Sequence, residues 1–395
     1  MVKITGVKAT PINMPLEVPY TWSFGAFPGF TKTIVEVETD QGVVGLGEAP
    51  FNGAAAILDG GMTERLVGRD PIDITGCELA CLPHWRGMQS INEFADIATF
   101  GAVEMALWDI RGKVWDRPVY DLLGGACRND IPFTEYFAFR PAVDGKGGET
   151  TIEALVDYCL DKAAIHGSSF FEGKVSEPDP RASIAIVRAL RDALGDDAMI
   201  RIDSNHAYSV TTAKVIAAAF EELGVRNWED PVPTFEEMVR LRPHTSVPFS
   251  SHNTDIPKAV ALGVPDAIVG NIAGHGGFLR AGRFVAALEA MAIDYWCYSG
   301  DSGIGTAAYL HFCAATQWVR EPNQSLLRWQ PVDVIEGGTM LPVDNIIRVP
   351  DGPGLGVTLD RAGLDWCHRH LVDNGPLPHF SDPDRPGQFR RLPLS

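Results

Sequence analysis

No run in this 395-residue chain approaches the ~20 apolar residues that cross a bilayer, so no membrane span is expected. The opening MVKITGVKATPINMPLEV has neither a long apolar centre nor a cleavage signal, and no export segment is expected from it. Positive charge is also scarce: 33 Lys and Arg stand against 51 Asp and Glu, a net charge of -18. Such a field opposes binding to nucleic acid or to an anionic membrane. A small anionic substrate would then need a local cation to hold it. Cysteine is sparse and odd in number, with seven residues at 77, 81, 127, 159, 297, 313 and 367. Cys77 and Cys81 are four apart, but no second Cys/His pair follows to complete a zinc set. Buried free thiols in a reducing, bacterial-type cytoplasm fit this usage.

What is present is enough apolar residue, 45% of the chain, to bury one large core and a smaller one, so two domains are predicted. The first forty residues alternate apolar and polar, with a turn at Asp40-Gln41-Gly42, as a meander of antiparallel strands does. Helical periodicity takes over from Ala54 to Trp115; in GAVEMALWDIRGKVWD, Val103, Ala106, Leu107 and Ile110 fall on one face. Residues 1–130 therefore read as an α+β capping domain. From Ile131 the pattern becomes strand–helix units, with strands predicted in PFTEYFAFR, SSFFEGKV, MIRIDSN, NWEDPV, VPFSSHN, DAIVGNI, AIDYWCYSG and QSLLRW. Eight such units over 131–339 predict an α/β fold with a (β/α)8-type barrel. The Pro- and Gly-rich segment 340–395 is expected to return to the cap.

Four polar residues close successive strands: Lys174, Asp203, Glu229 and His252, spaced by 29, 26 and 23 residues. That is the length of one strand–loop–helix unit, and it sets their side chains side by side at one mouth of the barrel. Acids converging beside a lysine point to a divalent-metal site with a nearby base.

The cap segment GAVEMALWDIRGKVWDRPVYDLLGG, with RIDSN, NWEDPV and the GHGGF after the sixth strand, resembles the mandelate racemase and muconate lactonising branch of the enolase superfamily over nearly the whole chain. TWSFGAFPGF, EYFAFR and GPGLGVTLD are most similar to its glucarate dehydratase-like acid-sugar dehydratases. The resemblance implies removal of the proton α to a carboxylate while Mg2+, or Mn2+ in its place, holds the enediolate. Fixed positive charge is needed because that proton is only weakly acidic. Asp203 and Glu229 match the first two metal ligands. The third falls at His252 or Asn253; the alternation of the strand favours His252, and the oxygen preference of Mg2+ favours Asn253.

Several positions depart from the pattern. The Lys-x-Lys that closes the second strand reads Glu172-Gly173-Lys174, so Glu172 is expected beside Lys174, where it would raise the pKa of the base. The Asp and His of the opposite face are matched by Asn271 and Tyr298. A phenol is a competent acid, so Tyr298 is a candidate to protonate a departing hydroxyl, or else it is an aromatic wall. His275, in the loop after the sixth strand, and Asp301, in YSGDSGIG, are further candidates to face substrate. So are Trp22, in the aromatic loop Tyr20–Phe24, and Arg140 and Arg328 at strand ends, as partners for a distal carboxylate or hydroxyl.

Two functions follow. One is a Mg2+-dependent dehydratase of a polyhydroxy acid, giving a 2-keto-3-deoxy acid, in a chain expected to assemble as a homo-oligomer. The other is a non-catalytic descendant that keeps fold and metal and binds an acid. Racemisation or cycloisomerisation of a small carboxylate is a further alternative, though a racemase needs a base on each face.

Overall fold

The computed structural model describes residues 2–82, 91–298, 301–324, 326–378, 382, 385 and 387–395, with the backbone alone over 91–94. Three antiparallel strands open the chain: β1 (Ile4–Trp22), β2 (Gly25–Thr39) and β3 (Val44–Ala49), ordered β1-β2-β3. Ile12, Met14 and Ile34 lie on one face of the meander and Val35 and Val37 on the other, and all five are buried. Between Pro15 and Tyr20 β1 advances five residues while β2, from Gly29 to Phe27, advances two. The two prolines in that stretch, Pro15 and Pro19, cannot donate to a ladder, and the extra residues form a bulge that frees the hairpin tip to bend. Gly29 makes the turn possible. Its φ is +145°, and a Cβ there would sit 2.4 Å from the Met14 carbonyl oxygen.

The long helix Ile91–Trp115 packs on β3. It comes so close that a Cβ on Gly47 would lie 1.9 Å from the Ala102 carbonyl oxygen. Asp109 on this helix accepts from the Leu46 amide (2.9 Å) and the Leu355 amide (2.8 Å), tying the cap to the returning C-terminal segment.

After β4 (Asp130–Pro132) the chain enters a curled parallel sheet. Its strands are β5 (Glu135–Phe137), β6 (Phe170–Lys174), β7 (Met199–Asp203), β8 (Asn227–Glu229), β9 (Phe249–Ser251), β10 (Ala267–Gly270) and β11 (Asp294–Cys297), each hydrogen-bonded to the next. Helices cover the outside. Pro180–Leu194 is representative: Asp179 caps its first turn, proline stands at its start, and Ser183, Ile186, Val187 and Leu190 turn inward.

The eighth predicted strand, QSLLRW, differs. Leu327–Trp329 is a 3-10 turn, and among the described residues Asn323 and Gln324 close the ring. Asn323 donates to the Pro132 carbonyl (2.8 Å) and accepts from the Thr134 amide (2.8 Å), while Gln324 donates to the Cys297 carbonyl (3.0 Å). Pro322 removes a donor just before them.

The segment from residue 340 turns back. β12 (Ile346–Arg348) pairs antiparallel with β4, and the helix Arg361–Asn374 lies on β1, where His368 Nδ1 is 2.7 Å from the Pro11 carbonyl. The last residues then reach the barrel, with the Leu394 amide on the Ala207 carbonyl at 2.6 Å. One apolar core runs from the cap into the barrel. No helix among the described residues is long and apolar enough to cross a membrane.

Candidate active site

Strand register sets the centre. Lys174 on β6 is level with Asp203 on β7, and Asp203 is level with Glu229 on β8. All three close their strands, so they stand in a row at the C-terminal mouth. Lys174 Nζ ion-pairs with Asp203 Oδ2, and both side chains are nearly buried. Burial pulls the lysine down, but Asp203, then Tyr20 and Glu229, outweigh it and hold the ammonium above the usual lysine range. Glu229 Oε1 lies 2.9 Å from His252 Nε2. Burial and Asp203 push the Glu229 carboxyl up; burial pulls the His252 imidazole down, but Glu229, then Asp230 and Asp203, outweigh it and raise it to about 9.

The donor set fits a cation. Donor atoms of Glu229, Asp230 and His252 lie within 4.8 Å of one another. Glu229 Oε1 and Asp230 Oδ2 are buried oxygens without an aligned hydrogen bond, although His252 and His206 (3.5 Å from Asp230) are close enough for ion pairing. Two such oxygens next to an imidazole are what a divalent ion replaces solvent to reach. Of the sequence candidates, Glu229 and His252 lie together here, and Asp203 is turned to Lys174. Asn253 is directed elsewhere: its Oδ1 accepts from the Asp255 amide (3.1 Å), and Asp255 caps the next helix. Asp230 was not anticipated; its positive φ of 42° turns the chain after β8.

Glu172 departs from expectation. It is bound by Arg201 Nη2 (2.6 Å) and by Gln324 Nε2 (2.6 Å), and its charge is spent on the guanidinium; among the described contacts none joins it to Lys174. The Gln324 amide also donates to Glu229 Oε2 at 2.8 Å. Arg201 precedes Asp203 by two, so the period of a strand would have found it on the same face. Gln324 carried no comparable signal, because its strand is two residues long.

The cap closes the mouth. Tyr20 and Trp22 pair across the hairpin with Phe27 and Gly25, on one face. The Trp22 ring lies 5.7 Å from Lys174 Nζ. Tyr20 stacks on Phe27 (5.0 Å) and leans on Trp329 (5.7 Å). Its phenol is held above the usual range by burial, against Lys174 but with Asp203 and Glu229. The Thr21 amide donates to the Phe139 carbonyl (2.8 Å), and Ser23 Oγ donates to the Asn205 carbonyl (2.6 Å). A cavity of about 660 Å3 lies on the other face of this hairpin, against Pro19, Thr21, Ala26 and Ile186, apart from the lysine and the acids.

On the far side of the mouth, Tyr298 meets the His252 ring edge-on at 5.1 Å, and burial with Asp301 pushes its phenol up to about 12. Asn271 donates to Tyr309 Oη (2.6 Å), and its Oδ1 holds the Gly274 amide (2.9 Å). Asp301 has Oδ1 engaged and its buried Oδ2 without a partner. It ion-pairs with Lys32, which also holds Glu48 Oε1 at 2.6 Å, all three buried. His275 stacks on Phe284 (4.3 Å), a residue of the helix Phe278–Ala290 outside the sheet. Arg140 is claimed by Glu149 (2.7 and 3.0 Å) and Glu17 (2.7 Å); Arg328 by Glu135 and the Pro342 carbonyl.

Residues 4–124 match the mandelate racemase / muconate lactonizing enzyme N-terminal domain, and residues 155–363 match the enolase C-terminal domain-like family. The chain belongs to the enolase superfamily. It is 25% identical to a D-galactarolactone cycloisomerase of Agrobacterium fabrum, over 92% of this chain and 98% of that one. It is 28% identical to a D-xylonate dehydratase of Haloferax volcanii, over 91% and 90%. A solved enolase of Pseudomonas fluorescens with bound magnesium, potassium and tartrate superposes with a TM-score of 0.86 at 25% identity, covering 95% of this chain and 94% of that one.

Proposed function

We propose that this enolase-superfamily enzyme is a hydro-lyase that converts a hydroxy acid to a 2-keto-3-deoxy acid. The observation that carries it is the level row Lys174–Asp203–Glu229 at the strand ends, a base beside metal-capable acids. Glu229, His252 and Asp203, with Asp230 adjacent, would hold Mg2+, which supplies positive charge against the substrate carboxylate as its α-proton leaves. Lys174 Nζ, once neutral, accepts that proton. The C3–O bond then breaks, and the hydroxyl departs as water with a proton from Tyr298 Oη or from Lys174. The Tyr20–Trp22 face of the hairpin excludes bulk water from the centre. A dehydratase among the relatives and a neighbour crystallised with magnesium support this reading.

Two observations favour the second reading, an acid-binding protein without turnover: Glu172 in place of a lysine, and Asn271 with Tyr298 in place of an Asp and His pair. A cycloisomerase relative keeps ring opening or closure as a third. A panel of hydroxy acids with Mg2+ separates them, read by new 2-keto acid and by exchange of the α-proton with D2O. Exchange and keto acid together uphold the hydro-lyase; exchange alone favours an isomerase; metal-dependent binding without exchange favours the acid-binding protein.

A further inference from the structure

We infer that Leu394 and Ser395 are positioning residues of the active centre: they fix the loop after β7, and through it both Asp203 and the hairpin over the mouth. The inference goes beyond the reaction proposed above, and only its metal readout rests on that reading.

The loop, residues 204–209, joins Asp203 to the helix Val210–Glu222. Asn205 and His206 both have positive φ, 39° and 61°. Two such residues in succession, neither of them Gly, persist where the surroundings hold them. Neighbouring strands hold the first half. The Ser204 amide donates to the Glu229 carbonyl (3.0 Å), the His206 amide to the Asp230 carbonyl (2.8 Å), and Ser204 Oγ to the Val175 carbonyl (2.8 Å). The Asn205 amide donates to Asp203 Oδ1 (2.8 Å), so the setting of the loop is also the setting of that carboxylate.

The second half is held from outside the sheet. The Leu394 amide donates to the Ala207 carbonyl at 2.6 Å, and the Ser209 amide donates to the Ser395 main-chain oxygen at 2.7 Å. Each segment gives one hydrogen bond and receives one, as paired strands do. The segment that supplies Leu394 is itself braced. Asp382, buried, receives Arg385 Nε (2.9 Å) and Nη2 (2.8 Å) and lies 3.8 Å from Arg390 Nε, while its amide donates to the Gln388 carbonyl (3.0 Å). A strap anchored upstream in this way loses less entropy when its end docks. It lies beyond residue 363, where the family match ends, so the features common to the family do not account for it.

What the loop carries gives the strap its bearing on the centre. Asp203 stands at the loop's start, paired with Lys174. The Asn205 carbonyl receives Ser23 Oγ (2.6 Å), one of the two fastenings of the hairpin. A loop that shifts at Ala207 carries the Asn205 carbonyl with it and slackens that fastening.

The test compares the full chain with Leu394→Pro, which lacks the donating amide, with Leu394→Met, which keeps it, and with a deletion of residues 392–395. Hydrogen–deuterium exchange is read at the His206, Ala207 and Thr21 amides, whose own acceptors are the Asp230, Ser204 and Phe139 carbonyls rather than the strap. Mn2+ affinity is measured by calorimetry, with the melting temperature as a check on folding. Leu394→Pro and the deletion should each speed exchange at the three amides about tenfold, the worth of one or two backbone hydrogen bonds. Both should weaken Mn2+ binding about tenfold, as loss of a group that orients a ligand does, and Leu394→Met should change neither. Unchanged exchange at His206 and Ala207 in the folded variants overturns the inference. Faster exchange confined to those two, with Thr21 and Mn2+ affinity unmoved, overturns it as well, since the strap then serves stability alone. If the full chain binds no Mn2+, the proposed metal site falls and the three amides alone decide on the strap.

Discussion

Gln324 Nε2 lies 2.8 Å from Glu229 Oε2, and the same nitrogen lies 2.6 Å from Glu172 Oε1. One amide thus gives its two hydrogens to two buried carboxylates, fixing Glu229 with its other oxygen, Oε1, toward His252 and the mouth. Arg201 completes the chain behind Glu172, so a barrel-core guanidinium balances acids that would otherwise repel each other.

Removing that bridge should loosen the metal-capable end. Gln324→Leu is expected to weaken Mn2+ binding about 10- to 100-fold, the range for residues that orient a ligand. Calorimetry at fixed pH reads this directly, with the melting temperature as a check on folding. Unchanged affinity in a folded variant would show that Gln324 does not orient Glu229.

The third ligand position is resolved by a pair of variants. His252→Ala should lower divalent-metal affinity by an order of magnitude or more, because its Nε2 stands with the oxygens of Glu229 and Asp230. Asn253→Ala should leave affinity intact, since the side chain holds the Asp255 amide. The reverse pattern would transfer the role to Asn253.

Lys174 must lose its proton to act, and Asp203 holds it above the usual range. Exchange of the substrate α-proton should therefore rise with pH through a single ionisation. A cation drawn onto Asp203 opposes that charge, so raising Mg2+ should move the midpoint to lower pH. Glu172→Gln should leave the midpoint in place, because Glu172 faces Arg201. Lys174→Ala should lower exchange on the order of 10^3-fold with metal binding kept. A large shift in Glu172→Gln would mean that the carboxylate acts on the lysine after all.

Acid sensitivity should come from a residue remote from the mouth. Burial pulls His275 down to about 4 from its ordinary 6.5, and its Nε2 has no partner. The folded protein keeps this imidazole neutral while the unfolded chain takes up a proton. Its contribution is therefore complete above pH 6.5 and is lost as pH falls through about 4, amounting to up to about 3 kcal/mol. Melting curves from pH 7 to 4 should be flatter for His275→Phe, which keeps the stack on Phe284.

Much of this was legible in the sequence, for physical reasons that differ by element. Lys174, Asp203 and Glu229 could be aligned because a strand–helix unit has a nearly fixed length, so spacing alone fixes their level. The antiparallel cap strands showed in their alternation. What did not show were pairings between distant elements. Glu172 and Arg201 share the 29-residue spacing of Lys174 and Asp203, but nothing local marks Asp301 as the partner of Lys32 or Glu17 as that of Arg140, since each depends on how barrel and cap meet. QSLLRW was read as a strand from its apolar character, whereas Asn323 and Gln324 close the ring through hydrogen bonds that carry no pattern. His275, taken for a loop residue at the mouth, is drawn behind the sheet by its stack on Phe284.

The hairpin over the mouth is held at two points on different strands, Thr21 on the loop after β5 and Ser23 on the loop after β7. A flap fixed on one side can swing about it; one fixed on both must let go of at least one before anything passes beneath. The Thr21 amide is therefore a built-in reporter. Its hydrogen–deuterium exchange measures how often the roof lifts on the β5 side, and slowing of that exchange by a bound acid would time the entry step without any label.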